Sequence, residues 1–434
     1  MVTAANSTTA QNGRLFDEVL LSEIREKFYY IDAGPRGTPR LFFENAGGSL
    51  RLKKCVEIKA RFEEIPDCPE RIHDTAVMLQ EVMERGRKDV MEVIFGARDG
   101  SLLTELSASQ AMFQMVGAVV ENIPGTNVVT SVLEHPSAFD AVAYYCQKTG
   151  KELRVAQANQ ETGQIDADEI VRLIDQDTCL LSIMYASNIA GSIMDIPEII
   201  KAARAIKPDL YIITDAVQHV PHAAVDVDSL KVDGINFAPY KAFGIRGCGF
   251  AYVSNRLARL PHRRLLAKDP SIWSLGSPTP SNFAAISAHV DYVCWIGSKF
   301  SASTDRRALY VTGMAHIHSH ERALLERMLN GSDKVPGLRK QNGVTVHMDF
   351  PDLTKRDLIL CIAIDGMDFV KSVEEYGKRG VTVYERVATS VYSKRMVEAF
   401  GLKGAIRVSP LHCHTKEDVD QFLRVTMEIT ELAK

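Results

Sequence analysis

Short apolar runs alternate with longer amphipathic segments from about residue 85 to about residue 255. The apolar runs are rich in Val, Ile and Leu and are bounded by turn-forming residues, a pattern typical of buried strands. The predicted strands are TNVVTSVLEH, KELRVAQ, CLLSIMYAS, LYIITDAV, VDGINFAP and GCGFAYVS. The predicted helices are RGRKDVMEVIFG, PSAFDAVAYYCQKTG, DADEIVRLID and IPEIIKAARAIK, of which the first ends at Gly96 and the second at Gly150. Because strands that alternate with helices form mostly parallel sheets covered on both faces, this part is predicted to be α/β.

The pattern changes after about residue 300. A long helix, ALYVTGMAHIHSHERALLERMLNG, precedes three strands, GVTVHMDF, DLILCIAI and GVTVYERV, and the helix TKEDVDQFLRVTMEITELAK closes the chain. A chain of 434 residues is too long for one ordinary core. We therefore expect a large domain over residues 40–300 and a smaller α+β domain over residues 301–434, which the N-terminal segment of residues 1–39 joins.

Composition narrows the class of protein. The apolar fraction of 46% and charged fraction of 24% are those of a soluble globular protein, and the net charge of −4 gives no reason to expect nucleic acid or an anionic membrane as partner. The segment MVTAANSTTAQNGR is polar, so we expect a disordered lead-in rather than a secretory signal. Eight scattered cysteines without a CxxC motif favour reduced thiols and a cytoplasmic location.

Polar side chains recur where the predicted strands end. They are Ser107, Ser109, His135, Asn188, Asp215, Gln218 and Lys241. The carboxyl ends of parallel strands meet at one edge of a sheet, where ligands of such folds bind. Lys241 stands in NFAPYKAFG between two aromatic residues, and Asp215 directly follows LYIIT. A lysine at such a place is either a surface charge or an amine placed for chemistry, and the company of Asp215 favours the second interpretation.

Pyridoxal phosphate requires this combination of groups. Its aldehyde needs an amine, its pyridine nitrogen needs a carboxylate, and its phosphate needs small polar residues and backbone N–H groups at the start of a helix. An imidazole or aromatic face supports the ring by stacking. A lysine amine in a desolvated, electropositive site also loses its proton more easily and reacts as a nucleophile.

Seven motifs in order carry a family resemblance. They are FFENAGGSL, EHPS, SNIAG, DAVQ, FAPYK, LGSPTP and AIRVSP. The chain resembles the class V aminotransferase group of fold-type I pyridoxal-phosphate enzymes over roughly residues 40–430, and within it the cysteine desulfurase and selenocysteine lyase branch most closely. The resemblance implies the fold-type I transferase fold, a homodimer with shared active sites, and a small amino acid as substrate.

The resemblance implies a role for each matching residue. Cofactor-binding residues would be Ala108, Ser109, His135, Asn188, Asp215, Gln218, Tyr240, Lys241 and Ser277. Lys241 would bind the aldehyde and later move protons, Asp215 would pair with the ring nitrogen, and His135 would stack on the ring. These three would be the catalytic residues. Asn188 and Gln218 would hydrogen-bond the ring oxygen.

The remaining roles concern the phosphate and the substrate. Ser109, with the backbone of Ala108, would hold the phosphate, and Ser277 would reach the phosphate in the other subunit. Arg407 would bind the substrate carboxylate as a bidentate fork. Asn45 and Gly47 would line the substrate pocket.

Two departures from the family pattern bear on the reaction. The serine and histidine that usually precede the lysine are Ala238 and Tyr240 here, although Tyr240 can still donate a hydrogen bond to phosphate. The stretch YERVATSVYSKRMVEAFGLKGAIR, where a desulfurase carries its nucleophilic cysteine, has no cysteine. Cys413 lies beyond Arg407, and Cys361 lies in an apolar strand.

These departures favour a lyase that eliminates a β-substituent such as a thiol, sulfide or selenide. An aminotransferase or epimerase of the same fold would use the same residues. A desulfurase remains open if Cys413 or a partner protein supplies the thiol, and a binding or scaffold protein without activity is the alternative from a different class.

The motif HIHSH raises the question of a metal site. On a helix only His316 and His320 share a face, while His318 points elsewhere. No acidic or cysteine partner accompanies them, so we predict no metal.

Overall fold

The structure is a computed structural model that describes residues 13–433. The lead-in predicted from the sequence falls almost entirely on residues 1–12, outside the described residues. Among residues 13–433, no helix is long and apolar enough to cross a membrane.

Fourteen α-helices can be described between residues 13 and 433. They are α1 (Glu18–Glu26), α2 (Lys53–Glu63), α3 (Asp74–Lys88), α4 (Ala108–Asn122), α5 (Pro136–Thr149), α6 (Ala167–Leu173), α7 (Ile196–Ile206), α8 (Val227–Leu230), α9 (Asn255–Ala258), α10 (Pro280–Ser298), α11 (Arg306–Asn330), α12 (Phe369–Lys378), α13 (Lys394–Ala399) and α14 (Lys416–Leu432). A π-helical segment, Asp89–Ile94, extends α3 toward Gly96. Gly96 and Gly150 both adopt the left-handed conformation, with φ of 68° and 70°, so the two predicted helix ends are confirmed.

The strands of the same part of the chain form four sheets. They are β1 (Leu41–Phe42), β2 (Ser101–Glu105), β3 (Asn127–Ser131), β4 (Glu152–Ala156), β5 (Thr178–Met184), β6 (Tyr211–Asp215), β7 (Gly234–Phe237), β8 (Gly249–Val253), β9 (Gly331–Ser332), β10 (Val335–Pro336), β11 (Val344–Val346), β12 (Leu360–Ile364), β13 (Val381–Thr382), β14 (Tyr384–Val387) and β15 (Gly404–Val408).

The largest sheet has seven strands in the order β2-β8-β7-β6-β5-β3-β4. The five strands from β7 to β4 are parallel, and β8 runs antiparallel to both β7 and β2. Every residue of β3, β5, β7 and β8 is buried, because helices cover both faces of the sheet. The predicted α/β architecture with a mostly parallel sheet is confirmed.

Successive strand residues face different helices. Val128 and Leu180 belong to the core under α4 and α5, whereas the next residues, Val129 and Leu181, belong to the core under α7 and α10. This double covering leaves only the strand ends open to a ligand. The site therefore has to lie where the chain leaves the strands.

A four-stranded antiparallel sheet, β11-β12-β15-β14, forms the centre of the smaller α+β part. In β15, Ile406 and Val408 pack in the same core as Phe422 of α14. Ala405 belongs instead to the core of the large sheet, and strand alternation places Arg407 on that same face. One face of the small sheet is thus turned toward the large domain.

Two segments contact both cores. Tyr310 in the first half of α11 packs in the larger core, and Met328 in its second half packs in the smaller one. Ile24 of α1 packs in the larger core, while Arg25 donates to the Asp418 carboxylate, 2.9 Å away, at the start of α14. The domain boundary at residue 300 and the joining of residues 1–39 to the small domain stay predictions.

One sequence interpretation was wrong in detail. GVTVYERV was expected to be a single strand, but the structure divides it into β13, which pairs with β1, and β14, which pairs with β15. The two short strands serve different sheets, a division that apolar alternation alone does not reveal.

Candidate active site

A cavity of about 210 Å³ opens at the carboxyl ends of the parallel strands. The loops that follow β2, β3, β5, β6 and β7 all contribute to its wall. Of the residues proposed from sequence to bind a cofactor, those that line the cavity are Ala108, Ser109, His135, Asn188, Asp215, Gln218, Tyr240 and Lys241. Residues spread over more than 130 positions of sequence therefore meet around one space.

Lys241 follows β7 and extends its amine into this space. Its Nζ donates a hydrogen bond to the backbone oxygen of Ala46 and lies 5.3 Å from the centre of the Tyr240 ring. Burial, reinforced by the positive charge of Arg407, lowers the pKa of Lys241 to about 7. A substantial share of this amine is therefore uncharged and nucleophilic near neutral pH.

Asp215 ends β6 and is 7% exposed. Its Oδ1 accepts a hydrogen bond of 3.0 Å from the backbone N–H of Val217. Burial raises the pKa of Asp215 to about 6, although the Val217 N–H and the charge of Lys241 oppose the shift. A cationic ligand group beside it would stabilise its ionised form.

His135 is the N-cap of α5 and also faces the cavity. Its Nδ1 accepts from the backbone N–H of Ser137 at 3.2 Å and lies 2.7 Å from the Ser137 hydroxyl. Burial, followed by the charge of Lys241, lowers the pKa of His135 to about 4. The imidazole is therefore neutral at pH 7, as a ring that stacks on an aromatic ligand should be.

Glu134 fixes the strand ends behind the cavity and was not among the predicted site residues. Its Oε1 accepts from Ser131 Oγ at 2.6 Å and from the Met184 N–H at 2.9 Å, and so joins the ends of β3 and β5. Burial raises the pKa of Glu134 to about 8, so its carboxyl group is mostly protonated at neutral pH.

The start of α4 forms an anion site on one side of the cavity. Ser107 is the N-cap, and its Oγ accepts from the Gln110 N–H at 3.3 Å. The N–H groups of Ala108 and Ser109 follow at the first positions of the helix, where no intrahelical acceptor exists. A phosphate can accept from these groups and interact favourably with the helix dipole.

The cationic and hydroxyl groups around Tyr240 extend this anion site. The guanidinium of Arg246 lies 4.5 Å from the centre of the Tyr240 ring, and that of Arg51 lies 5.9 Å away. Tyr240 and Arg246 both line the cavity. The tyrosine that replaces the family's usual histidine thus remains within the group of phosphate-side residues.

The polar groups of the wall fit pyridoxal phosphate. Asn188 Oδ1 is buried without a hydrogen-bond partner, which is costly unless a ligand supplies one. Gln218 is also buried, at 7% exposed. Together with Asp215, they offer polar partners for the substituents and the nitrogen of a pyridine ring whose phosphate would be held at the start of α4.

Arg407 lies just beyond Asn188 and is already engaged. Its Nη1 donates to the Asn188 backbone oxygen at 2.9 Å, and its Nη2 binds the Glu44 carboxylate. Its Nε is buried without a partner. A substrate carboxylate can take the fork only when Glu44 moves aside, a condition that the sequence did not indicate.

In the loop after β1, the Asn45 side chain is bound to the backbone and does not face the cavity. The Asn45 amide donates to the backbone oxygens of Phe42 and Ser409 at 3.0 and 2.9 Å, and Asn45 Oδ1 accepts from the Leu50 N–H at 2.9 Å. Asn45 therefore shapes the loop and does not line the cavity. Gly47 is the other residue that was predicted to line the substrate pocket, and its surroundings leave no room for a side chain.

A Cβ atom at Gly47 would collide with the Glu44 carboxylate. Gly47 thus gives Glu44 the room to reach Arg407, and this contact explains the glycine in FFENAGGSL.

Ser277 is the one proposed cofactor residue that does not line the cavity. It is exposed in the loop before α10 and lines a neighbouring groove, which shares Leu106, Gly247 and Cys248 with the cavity. Its proposed contact with the other subunit's phosphate stays a prediction.

Arg386 is a further residue of the site that sequence reasoning missed. Its guanidinium lies 5.9 Å from the Tyr384 ring centre, and that of Arg407 lies 5.7 Å from the same ring. Two-residue alternation in YERV places Tyr384 and Arg386 on one strand face, which was the available signal. The pairing of β14 with β15 was needed to bring that face beside Arg407.

The histidines and cysteines outside the cavity have structural surroundings. His316 stacks on Phe300, and the two ring nitrogens of His320 lie 3.0 Å from the Phe16 nitrogen and from the His414 oxygen. No group of three or more potential metal ligands occurs among residues 13–433. Cys361 and Cys413 are fully buried, and burial raises the pKa of both thiols.

Comparison with known proteins identifies the family of the chain. The family model described as aminotransferase class-V matches residues 42–422. A cysteine desulfurase from Salmonella dublin is 26% identical over 298 residues, covering 64% of this chain and 72% of the relative. A cysteine desulfurase from Cronobacter sakazakii is 24% identical over 339 residues, covering 74% of this chain and 79% of the relative.

Solved structures support the same fold. A cysteine desulfurase from Thermococcus onnurineus superposes with a TM-score of 0.78 at 20% identity, covering 94% of this chain and 98% of that one. A cysteine desulfurase from Escherichia coli gives a TM-score of 0.77 at 19% identity, covering 96% of this chain and all of that one. The chain belongs to the class-V aminotransferase family and is a cysteine desulfurase-like enzyme that uses pyridoxal phosphate.

Proposed function

We propose that the enzyme is a lyase that removes a substituent from the β-carbon of a small amino acid, with a sulfur-type or similar leaving group. The observation that carries this proposal is the buried, largely neutral amine of Lys241 in a cavity whose lining cysteine, Cys248, is only 5% exposed and is kept protonated because burial raises its pKa to about 12. No cysteine occurs between Tyr384 and Arg407, and burial keeps the thiols of Cys361 and Cys413 protonated. Transfer of sulfur to an enzyme thiol is therefore disfavoured, whereas elimination needs only a base and a leaving group.

Each residue of the cavity contributes one task to this chemistry. Bound pyridoxal phosphate supplies an electron sink that stabilises negative charge at the substrate's α-carbon. Lys241 Nζ would hold the cofactor, and its amine would accept the α-proton of the substrate. Asp215 would hold a proton on the ring nitrogen, and His135 would lie against the ring face. The start of α4 holds the phosphate.

Arg407 is proposed to orient the substrate through its carboxylate. Glu44 occupies the fork beforehand, so the incoming carboxylate replaces one anion by another and Arg407 remains neutralised throughout. This exchange also keeps the guanidinium in place between substrate molecules.

We further propose that the enzyme is a cytoplasmic homodimer. Leu265, Leu266 and Ile272 are 51%, 91% and 41% exposed in the loop that carries Ser277, which supports burial of this loop against a second subunit. All eight cysteines are free, which suits a reducing compartment.

The test is turnover of an amino-acid panel by the cofactor-loaded enzyme, with the visible spectrum and keto acid followed together. Accumulating keto acid with recovery of the starting spectrum supports a lyase. A cofactor left in its amine form until a keto acid is added indicates an aminotransferase instead. Lys241→Ala should lose both the visible band of the bound cofactor and turnover, because no amine remains to hold the aldehyde.

Lys201→Ala serves as the matched control, since Lys201 lies on the surface of α7 with 77% of its side chain exposed. It should retain the spectrum and turnover of the wild type. A Lys241→Ala variant with an unchanged spectrum would refute the assignment of the cofactor lysine.

A further inference from the structure

Strand pairing places two arginines side by side next to the cavity. In the register of β14 and β15, Tyr384 lies opposite Arg407 and Arg386 lies opposite Ala405. Alternation puts Tyr384, Arg386, Ala405 and Arg407 on one face, which is the face turned toward the large domain. The ring of Tyr384 lies within 6 Å of both guanidinium groups.

Arg386 lacks a counter-ion of its own. It is 7% exposed, its Nη2 donates to the Tyr392 backbone oxygen at 2.9 Å, and its Nε is buried without a partner. No carboxylate of residues 13–433 forms an ion pair with it. The Glu44 carboxylate acts on it from a distance but is bound to Arg407.

A buried guanidinium without an anion is costly in a folded protein. Here the excess positive charge extends to the reacting groups, because the charge of Arg386 contributes to the low pKa values of both Lys241 and His135. The anion site at the start of α4 does not include Arg386, so the cofactor phosphate leaves this charge unpaired. The unpaired positive charge of Arg386 near Lys241 therefore favours the binding of another anion.

We propose that Arg386 binds an oxyanion at the end of the substrate's side chain, so that the preferred substrates are amino acids with an acidic side chain. This inference rests on the proposed function. Arg407 then takes the α-carboxylate and Arg386 the second anion, and both guanidinium groups can form two parallel hydrogen bonds. A carboxylate and a sulfur oxyanion share this recognition chemistry, and the experiment distinguishes them.

The experiment measures equilibrium binding of matched amino acids to the cofactor-loaded enzyme by calorimetry and by the change in the visible spectrum. The pairs are aspartate with asparagine and glutamate with glutamine, which differ in charge but little in shape. Cysteate provides the sulfur oxyanion. We expect the wild type to bind the best acidic ligand about 10- to 100-fold more tightly than its neutral partner, as expected for a charge-assisted hydrogen-bonded pair.

Arg386→Gln should remove this preference and change the affinity for the neutral ligands less than about 3-fold, since it leaves their contacts intact. Arg386→Lys keeps the charge without the planar fork and should retain part of the preference. Arg407→Ala should instead weaken acidic and neutral ligands alike. Arg98→Gln is the matched control, because 92% of the Arg98 side chain is exposed, and it should behave as the wild type.

Thermal unfolding of the cofactor-loaded protein without amino acid gives an independent readout. Because Arg386 is an unpaired buried charge, Arg386→Gln should melt at the same or a higher temperature than the wild type. A marked loss of stability would show that Arg386 has a structural role and would overturn the proposal.

Three binding results would also overturn it. The first is a wild type that shows no preference for acidic ligands. The second is an Arg386→Gln variant whose affinities for acidic and neutral ligands fall equally, which would make Arg386 the site of the α-carboxylate. Cofactor loading without binding of any amino acid would refute the proposed function together with this inference. Turnover of neutral amino acids with an unchanged Arg386→Gln variant would refute the inference alone.

Discussion

Burial shifts the pKa values of Lys241 and Asp215, which both line the cavity, in opposite directions. It lowers the pKa of Lys241 to about 7 and raises the pKa of Asp215 to about 6, so in both cases it favours the neutral form. The two values lie close together, and the charge of Lys241 opposes the upward shift of the Asp215 pKa. A cationic nitrogen placed beside Asp215 would restore its charge, while the amine would stay ready to react.

Asp215→Asn tests whether the reaction depends on the negative charge of Asp215. The change preserves size but removes the negative charge that holds the ring nitrogen's proton. We expect the variant to keep some cofactor through Lys241 and to lose turnover by roughly 100-fold or more, a scale typical of lost electrostatic stabilisation. Steady-state kinetics and the cofactor content, measured on the same sample, separate the two effects.

Asp209→Asn is the matched control for Asp215→Asn, because Asp209 precedes the same strand with 80% of its side chain exposed. A near-normal kcat in the cofactor-loaded Asp215→Asn variant would refute the assigned role.

Most cavity residues could be predicted from the sequence because they depend on local order alone. His135, Asn188 and Lys241 each follow a strand and Asp215 ends one, and parallel strands bring their carboxyl ends to one edge. The exchange partner Glu44 and the charge of Arg386 could not be predicted, because each acquires its meaning from a strand or loop distant in sequence.

At the scale of elements, β8 sets the position of α4. Gly249 begins β8 and contacts the backbone at the start of the helix, where a Cβ atom would collide with the Ala108 nitrogen. The glycine therefore allows the helix N-terminus to approach the sheet. The geometry of the phosphate site depends on this close approach.

Gly249→Ala should displace the start of α4 and weaken the phosphate contacts. We expect at least roughly 10-fold weaker binding of pyridoxal phosphate, equivalent to the loss of one or two hydrogen bonds to a charged group. Equilibrium dialysis with the cofactor measures the effect. A helix that shifts as a whole would also raise the cofactor's exposure to solvent, visible as faster cofactor exchange.

Gly377→Ala is the control, since no atom lies within 4 Å of a Cβ at that position in α12. If both variants bind the cofactor as the wild type does, the close approach of β8 to α4 has no part in holding the phosphate.

Sequence patterns predicted the strands of the parallel sheet, but they did not predict α10 and did not separate β13 from β14. The strands of the parallel sheet appeared as apolar runs, because both faces are covered. α10 was not predicted, since 14 of its residues are buried and it lacks the polar face that marks an amphipathic helix. β13 and β14 were merged, because their assignment to different sheets is decided by tertiary contacts.

At the scale of the whole molecule, buried histidines connect the loop after β6 with α10, α11 and the segment after β15. His222, in the loop after β6, lies with its Nδ1 2.8 Å from Glu321 Oε2 of α11. Glu321 Oε1 accepts from the His412 N–H at 3.1 Å, and His412 Nε2 lies 2.7 Å from the Tyr292 hydroxyl of α10. This cluster joins the loop that follows Asp215 to the strand exit that follows Arg407.

The ion pair in this cluster makes domain contact dependent on pH. Burial alone would lower the pKa of His222, but the charge and hydrogen bond of Glu321 outweigh it and raise the pKa to about 9. A histidine with a raised pKa contributes stability that is complete below its unfolded value of about 6.5 and is lost as the pH rises through about 9. The free energy of unfolding should therefore fall over this interval.

The comparison that isolates this effect is between the wild type and the double variant His222→Gln, Glu321→Gln. Removing both partners avoids an unpaired buried charge, which would destabilise either single variant for a different reason. Between pH 6.5 and 9, the wild type should lose about 1–3 kcal/mol more unfolding free energy than the double variant in urea titrations. Equal losses would mean that the pair does not titrate in this range.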